Sequence, residues 1–351
     1  MNLRPSRMDG LVRLMTLRMT ETTMNCMETL KRARTVLASV IFGLVAVAAA
    51  AGPWPERPLK IVVSSAAGGG PDILARQIAQ KLSGAIGQPV IVENKIGANG
   101  ILAVSEVARS PADGYTLLYT GASSTALNQA LRTDLPFDVQ RDLQAVTQIG
   151  VGANYLVVAA DMPIADMDQF VRYAKARPQE VAYASWGVGS PGHLTMAAIE
   201  NQTGIQLRHI PYKSIPQMLQ DLQAGTVKVA VVDPVSSLPF IRSGSIKVVS
   251  AIGTVKGPLL PEVRTMNEQG YRFDANGWHG VFVAARTPEP IVARLNHEIN
   301  AILKDADMRA RLTQLNIGSS TPTSPSDFQK ILQSDIQFWS QVVTSNHIAA
   351  N

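Results

Sequence analysis

The sequence predicts an α/β protein made of two lobes, each a sheet flanked by helices, with two crossovers between them. Three observations carry this reading. Strand-like and helix-like segments alternate through residues 59–252 in two consecutive series. The chain then passes through one more strand-like run into two helical stretches that have no sheet of their own and should pack back on the first lobe. A mature chain of about 300 residues is long enough to divide into two cores.

In the first series, Leu59–Val63 reads as a strand. Ile73–Ile86 reads as a helix, with Ile73, Leu74, Ile78, Leu82 and Ile86 on one face. Val90–Glu93 is a strand, Lys95–Gly100 a glycine-bearing loop, and Ile101–Arg109 a short helix. The turn Ser110-Pro111-Ala112-Asp113-Gly114 breaks the chain before the strand Tyr115–Thr120. Gly121–Thr125 then leads into a further helical stretch.

The second series opens with the strand Tyr155–Ala159 and the helix Ile164–Ala176, capped near Asp166. Val181–Ser185 is a strand, followed by the loop Trp186–Gly192 and a helix from His193 to Gln202. Leu207–Pro211 is a strand, Pro216–Ala224 a helix, and Val227–Val232 and Ile246–Ile252 are strands. The return runs through Gly280–Ala284 to helices at Pro290–Leu303 and Ser326–Val343. Crossovers are expected near Tyr155–Met162 and Trp278–Arg286. The expected division is a leader at 1–51, lobe 1 at 52–156 plus 281–351, and lobe 2 at 157–280.

The leader carries its own signals. Lys31-Arg32-Ala33-Arg34 is a basic region, Thr35–Val47 is apolar, and Ala48–Ala51 offers small residues for cleavage. That is the pattern of a secretory signal peptide. The apolar run falls short of the ~20 residues a membrane span needs, and Gly52-Pro53-Trp54-Pro55 would break a continuing helix. Met24 or Met27 would give a start of ordinary leader length. A cleaved leader implies a periplasmic protein.

Charge follows from the leader. The full chain of 351 residues has 32 Lys and Arg against 27 Asp and Glu. Removing the leader's seven basic and three acidic residues leaves 25 and 24, a net of +1. With no dense basic patch, nucleic acid is not an expected partner. The single cysteine, Cys26, lies inside the leader. The mature chain therefore has no disulfide, thiolate nucleophile or cysteine metal ligand. It also lacks the post-leader cysteine that a lipoprotein acylates.

Three strand-to-helix loops have the composition of a ligand cleft, which in open α/β sheets lies beyond the carboxyl ends of the strands. They are Ser64–Asp72, Gly121–Thr125 and Ala184–His193. Hydroxyls and free N–H groups at helix starts bind small anions. Each loop alone also reads as an ordinary capped turn.

Gly187–Gly192 is a literal G-x-G-x-x-G, but the next strand ends in Pro211-Tyr212-Lys213 without the acid a dinucleotide site wants. Gly68–Asp72 lacks the Gly-Lys-Ser/Thr of a P-loop. Ser190 lacks a G-x-S-x-G frame, because Val188 stands in the first glycine's place. The five histidines, at 193, 209, 279, 297 and 347, have no metal-binding spacing. No cofactor or metal is expected. His193 reads as a residue that caps or lines its loop. Asp233, at the end of an apolar strand, reads either as a turn former or as a cleft residue meeting an amine or a bridging water.

A long ordered series of motifs resembles a known family. It begins with Ala67-Gly68-Gly69-Gly70-Pro71-Asp72 and Ala75-Arg76. Glu93-Asn94-Lys95, Gly97 and Gly100 follow, then Ala112-Asp113-Gly114-Tyr115-Thr116-Leu117-Leu118. Tyr183-Ala184-Ser185, Gly187, Gly189-Ser190 and His193-Leu194 lead to His209-Ile210-Pro211-Tyr212-Lys213, Asp221-Leu222 and Gly225. Thr287-Pro288, Ile291-Val292, Leu295-Asn296 and Glu298-Ile299 close the series. It resembles the periplasmic substrate-binding proteins of tripartite tricarboxylate transporters, the Bug receptors, over nearly the whole mature chain.

The resemblance implies a two-lobed periplasmic-binding-protein fold, a Venus flytrap. Such a receptor is not an enzyme. It closes on a small carboxylated solute and delivers it to membrane transport subunits. The family holds the carboxylate between the first loop and a Ser-x-Gly-x-Gly-Ser loop, partly through water. Carried over, that implicates Ala67, Gly69, Pro71 and Asp72; Ser123 and Thr125 opposite; Ser185, Gly189, Ser190 and His193 across the hinge; and Asp233 beside them. The chain departs from the pattern at Ser64-Ser65-Ala66, where prolines or an aromatic are usual, at Pro71, where a hydroxyl is common, and at Ser214 in place of a glycine. A monomer is expected. The alternatives are a ligand sensor signalling to a membrane kinase, and an exported serine hydrolase using Ser190 and His193.

Overall fold

The first sheet grows from an apolar strand, β1 (Leu59–Val63), with β2 (Val90–Asn94) and β3 (Thr116–Gly121) parallel to it on either side. Helix α1 (Gly70–Ile86) connects β1 to β2 and buries Leu74, Ile78 and Leu82. It starts three residues before the apolar periodicity does, because Pro71 fits the first turn, where no N–H partner is lost. Helix α2 (Ile101–Ala108) brings the chain back to β3. Short helices α3 (Ala126–Leu131) and α4 (Val139–Asp142) precede a ten-residue strand, β4 (Leu143–Gly152).

The chain enters the second sheet two residues later, at β5 (Tyr155–Ala159). There follow α5 (Met167–Lys175), β6 (Ala182–Ser185), α6 (Pro191–Thr203), β7 (Arg208–Pro211), α7 (Ile215–Gln223), β8 (Val229–Val232), α8 (Pro234–Arg242) and β9 (Ile246–Ala251). The strand order is β7-β6-β8-β5-β9. β6 runs parallel to β7 and β8, and β5 antiparallel to β8 and β9. The Asp166 carboxylate caps α5, accepting from Gln169 N at 2.8 Å.

The chain returns to the first sheet at β10 (Gly277–Ala284), antiparallel between β3 and β4. Helices α9 (Glu289–Leu303) and α10 (Ala306–Gln314), strand β11 (Ile317–Ser319) and α11 (Pro325–Ser345) complete it, giving a sheet ordered β11-β4-β10-β3-β1-β2. The sheet therefore changes at Gly152–Tyr155 and between Ala251 and Gly277. The structure, a computed structural model, describes residues 54–319 and 322–348. The expected leader at 1–51, with Cys26, lies outside them.

The C-terminal helices do pack back on the first sheet, and the region adds two features to that expectation. It contributes a strand: β11 pairs antiparallel with Gly150–Gly152 at the sheet edge. Not all its helices pack on the first sheet alone. α9 lies on β4 and α1, but α11 packs on β4 and α3 and also on α6 beside the second sheet. Phe328, Leu332, Ile336, Trp339 and Val342 give α11 a continuous apolar face that joins one core spanning both sheets. β4 escapes the sequence reading because Thr147 and Gln148 interrupt its apolar run. Both are buried there. Thr147 Oγ1 bonds Asn300 Oδ1 at 2.9 Å, and the Gln148 N–H donates to Thr323 Oγ1 at 3.1 Å.

Candidate functional site

A cavity of about 580 Å³ opens between the strand ends of the two sheets, with a side arm of about 360 Å³. The first residues of four helices of nine residues or more line the main cavity: Pro71 of α1, Pro191 of α6, Ile215 of α7 and Pro234 of α8. Helix N-termini present unpaired N–H groups and a partial positive charge. The two spaces share Pro71, Asn99, Gly121, Ser123 and His279.

The first wall is held by a buried carboxylate. Asp72 accepts from Gly68 N at 2.8 Å, Asn94 Nδ2 at 2.8 Å and Arg76 Nε at 3.0 Å. Burial would raise its pKa, but Arg76, the Gly68 N–H and Asn94 together hold it below the ordinary carboxylate value. Asp72 therefore pins the loop from behind and does not line the cavity. Gly69 stands at the cap position of α1, and Ala67 is exposed; neither lines the cavity.

Beside them, Ser64 Oγ and Thr120 Oγ1 bond at 2.7 Å on the wall of the side arm. Ser123 faces both spaces. Thr125 is turned inward, its hydroxyl donating to Gly121 O at 3.1 Å. Asn99 and Asn128 latch the 95–100 loop to α3 by reciprocal bonds of 3.0 Å. Gly100 allows this close approach: its φ is +87°, and a Cβ there would sit 2.3 Å from Ser124 Oγ.

The second wall is a network of neutral groups. Ser185 Oγ lies 2.7 Å from His209 Nε2 and 3.1 Å from Gly187 O, and accepts from Ser190 Oγ at 3.3 Å. Ser190 caps α6, accepting from His193 N, and the Gly189 N–H donates to His193 Nδ1 at 3.0 Å. The His193 and His209 rings stack at 4.2 Å. Burial lowers the pKa of His193. Burial, and then its neighbour His193, bring His209 down to about 4.

These contacts bear on the hydrolase alternative. Ser190 bonds the backbone of His193, not its ring, and Nδ1 already accepts a proton donor. Ser185, which does meet a histidine, is fully buried. Neither Ser185 nor Ser190 therefore forms a nucleophile–base pair open to substrate. Ser185, Gly189, Ser190 and His193 shape this wall without lining the cavity.

Asp233 does line it. Its Oδ1 caps α8 through Ser236 N at 2.9 Å, while Oδ2 is buried with no hydrogen-bond partner in the protein. Of the eleven residues singled out in the sequence, Pro71, Ser123 and Asp233 line the cavity.

The back of the cavity was not legible beforehand. It contains Trp186, Phe273, Trp278, His279, Asn316 and Trp339, drawn from four separate stretches. The Trp278 indole N–H donates to Asp335 Oδ2 at 2.6 Å, and burial pushes the Asp335 carboxyl up to about 7. His279 packs on Tyr119 at 5.8 Å and is brought down to about 4 by burial. Asn316, at φ +57°, accepts from Leu259 N at 2.9 Å and donates to Ala153 O at 3.3 Å, tying the end of α10 to the crossover. Among the described residues no cluster of His, Cys, Asp or Glu could hold a metal ion, and no helix is long and apolar enough to cross a membrane.

Comparison with known proteins places this arrangement. Residues 74–347 match the profile of the tripartite tricarboxylate transporter family receptor. The chain is 32% identical over 318 residues to Protein BugT of Bordetella pertussis, covering 88% of this chain and 97% of BugT. It is 30% identical to R. palustris Rpa4515, a structure with adipate, with a TM-score of 0.69, covering 84% of this chain and 99% of that one. It is 29% identical to MatC of Rhodopseudomonas palustris with bound malate, with a TM-score of 0.67, covering 83% and 100%. The two sheets and their cleft are the two-lobed periplasmic-binding-protein fold, and this chain belongs to the tripartite tricarboxylate transporter receptor family, the solute-binding receptors of the Bug type.

Proposed function

We propose that this receptor is exported, binds a small organic carboxylate between its two sheets, and passes it to the membrane subunits of a tripartite transporter without chemical change. The carrying observation is the chemistry of the cleft. Four helix N-termini, the Ser123 hydroxyl and the Asn99 amide line it, while among the described residues neither cavity is lined by Lys or Arg. Such a site suits a carboxylate held by N–H and hydroxyl donors rather than by a fixed cation. The relatives with adipate and malate support the same ligand class. In this reading the lobes divide where the chain changes sheet, and closure brings the Ser64–Gly69 and Ser185–His193 loops together around the ligand.

Calorimetry and thermal shift against mono- and dicarboxylates, amino acids and the corresponding carboxamides test this. At least one carboxylate should bind and raise the melting temperature, and its amide should not. Ser123→Ala should weaken that carboxylate about tenfold. Equal binding of acid and amide, or no binding of any acid, would sink the reading.

A further inference from the structure

We propose that the preferred solute is a carboxylate whose far end is an ammonium group, and that Asp233 receives that ammonium. The inference rests on the carboxylate-binding reading above and narrows its ligand class. Among the described residues, Asp233 is the one Asp, Glu, Lys or Arg that lines either part of the cleft. One oxygen is committed to the Ser236 N–H; the other is buried and has no partner in the protein.

A buried, unpaired carboxylate oxygen is costly, and a donor arriving with the ligand removes that cost. The χ2 torsion of an aspartate is broad and two-fold, so the carboxylate can turn and exchange which oxygen caps the Ser236 N–H and which meets the ligand. His279, the other titratable side chain on the cavity wall, is neutral because burial brings its pKa down to about 4, so it offers no cation.

A dicarboxylate would place its second charge in a cavity that already holds a fixed carboxylate and no counter-charge. An amino-carboxylate meets the two walls with opposite ends. Its carboxylate faces the Ser123 hydroxyl and the α1 N-terminus, and its ammonium faces Asp233. The aromatic back wall of Trp186, Trp278 and Phe273 suits the apolar chain between them and favours a nearby cation.

Matched ligands of equal length test this by calorimetry: succinate with γ-aminobutyrate, glutarate with δ-aminovalerate, adipate with ε-aminocaproate. The amino-carboxylate of the best-binding pair should bind about tenfold tighter than its dicarboxylate. Asp233→Asn keeps a good N-cap residue and should erase or reverse that preference. Asp233→Ser, another good cap, should do the same, and circular dichroism confirms that both variants fold. A dicarboxylate preference in the native protein, or a preference unchanged in both variants, overturns the inference and leaves the carboxylate reading standing. Failure of every acid in the set and in the wider panel overturns both.

Discussion

Asp72 at the head of α1 and Asp335 midway along α11 are both almost wholly buried, at 2% and 4% exposure. They titrate in opposite directions. Asp72 has three donors, one of them the Arg76 guanidinium, and these outweigh the burial that would raise its pKa. Asp335 has the Trp278 indole N–H, which cannot offset burial, so its pKa rises to about 7. Equal exposure therefore does not decide the charge of a carboxyl group in this fold; how deeply it is enclosed and the donors around it do. The first wall is pinned by an anion. The back wall contains an acid poised between two states, one hydrogen bond from a tryptophan that lines the cavity.

The signs of the two linkages differ. Asp335, raised in the folded state, contributes stability that is fully present below its unfolded value near 4 and is lost as pH rises through about 7. A shift of about three units corresponds to a decline on the order of 4 kcal/mol across that window. Asp335→Asn keeps an acceptor for the indole and should remove the decline, so the variant should be more stable than the native protein at pH 8. Urea unfolding at several pH values, followed by circular dichroism, checks this. An identical pH slope in both proteins would break the contrast at its larger end.

Asp72, lowered in the folded state, contributes stability above its unfolded pKa that is lost as pH falls through the folded one. At neutral pH, Asp72→Ala strands the Gly68 N–H, Asn94 and Arg76. It should cost about 3 kcal/mol. Because Asp72 holds the loop without lining the cavity, ligand affinity should fall as well, although no ligand contact is removed. A stability loss with unchanged affinity would show that the loop keeps its shape without this anchor.

The same contrast explains what the sequence could disclose. The Asp72 loop is local: its glycines, Pro71, Asp72 and Arg76 lie within nine residues, so strand and turn are legible and the helix start is legible to within three residues. Ser123 and Asp233 follow from their places at the carboxyl ends of strands. The Asp335 environment is not local. Trp278 is 57 positions away, and nothing in the α11 sequence distinguishes a buried aspartate from a solvated one. Asn316 reads as an ordinary polar residue until its left-handed backbone and its bonds to Leu259 and Ala153 are seen. α8 is obscured by Pro239 inside it. Ser185, Ser190 and His193 sit together as expected, but which hydroxyl meets which ring depends on His209, supplied by the neighbouring strand β7.

The second wall gives a third, smaller test. His209 is lowered to about 4, so its contribution is present above the unfolded value near 6.5 and is lost as pH falls toward 4. After discounting for a ring that is only partly buried, this amounts to about 2 kcal/mol. Its slope, together with that of His279, also lowered to about 4, opposes that of Asp335 between pH 4 and 6.5. His209→Gln should remove its share of that opposition, so stability should fall less, or rise more, than in the native protein as pH drops from 6.5 to 5. If that variant and the native protein give superimposable profiles, the imidazole stack contributes nothing to acid sensitivity.

The smallest effect on stability should carry a larger effect on binding. Gly189 has φ +72°, and a Cβ there would lie 2.7 Å from Leu131 Cδ2 at the end of α3. The residue thus sits where the second-sheet loop meets a first-sheet helix. Gly189→Ala must strain the backbone or push Leu131 aside, at about 1 kcal/mol. Asp72 and Asp335 act within their own walls, whereas Gly189 sets the distance between walls. Its substitution should therefore weaken the ligand by about tenfold while the melting temperature moves by only a few degrees. A second substitution, Leu131→Ala, makes room for the new methyl group and should restore most of the affinity. Failure of that rescue would mean that the loop's own backbone, rather than its approach to α3, sets the geometry of the cleft.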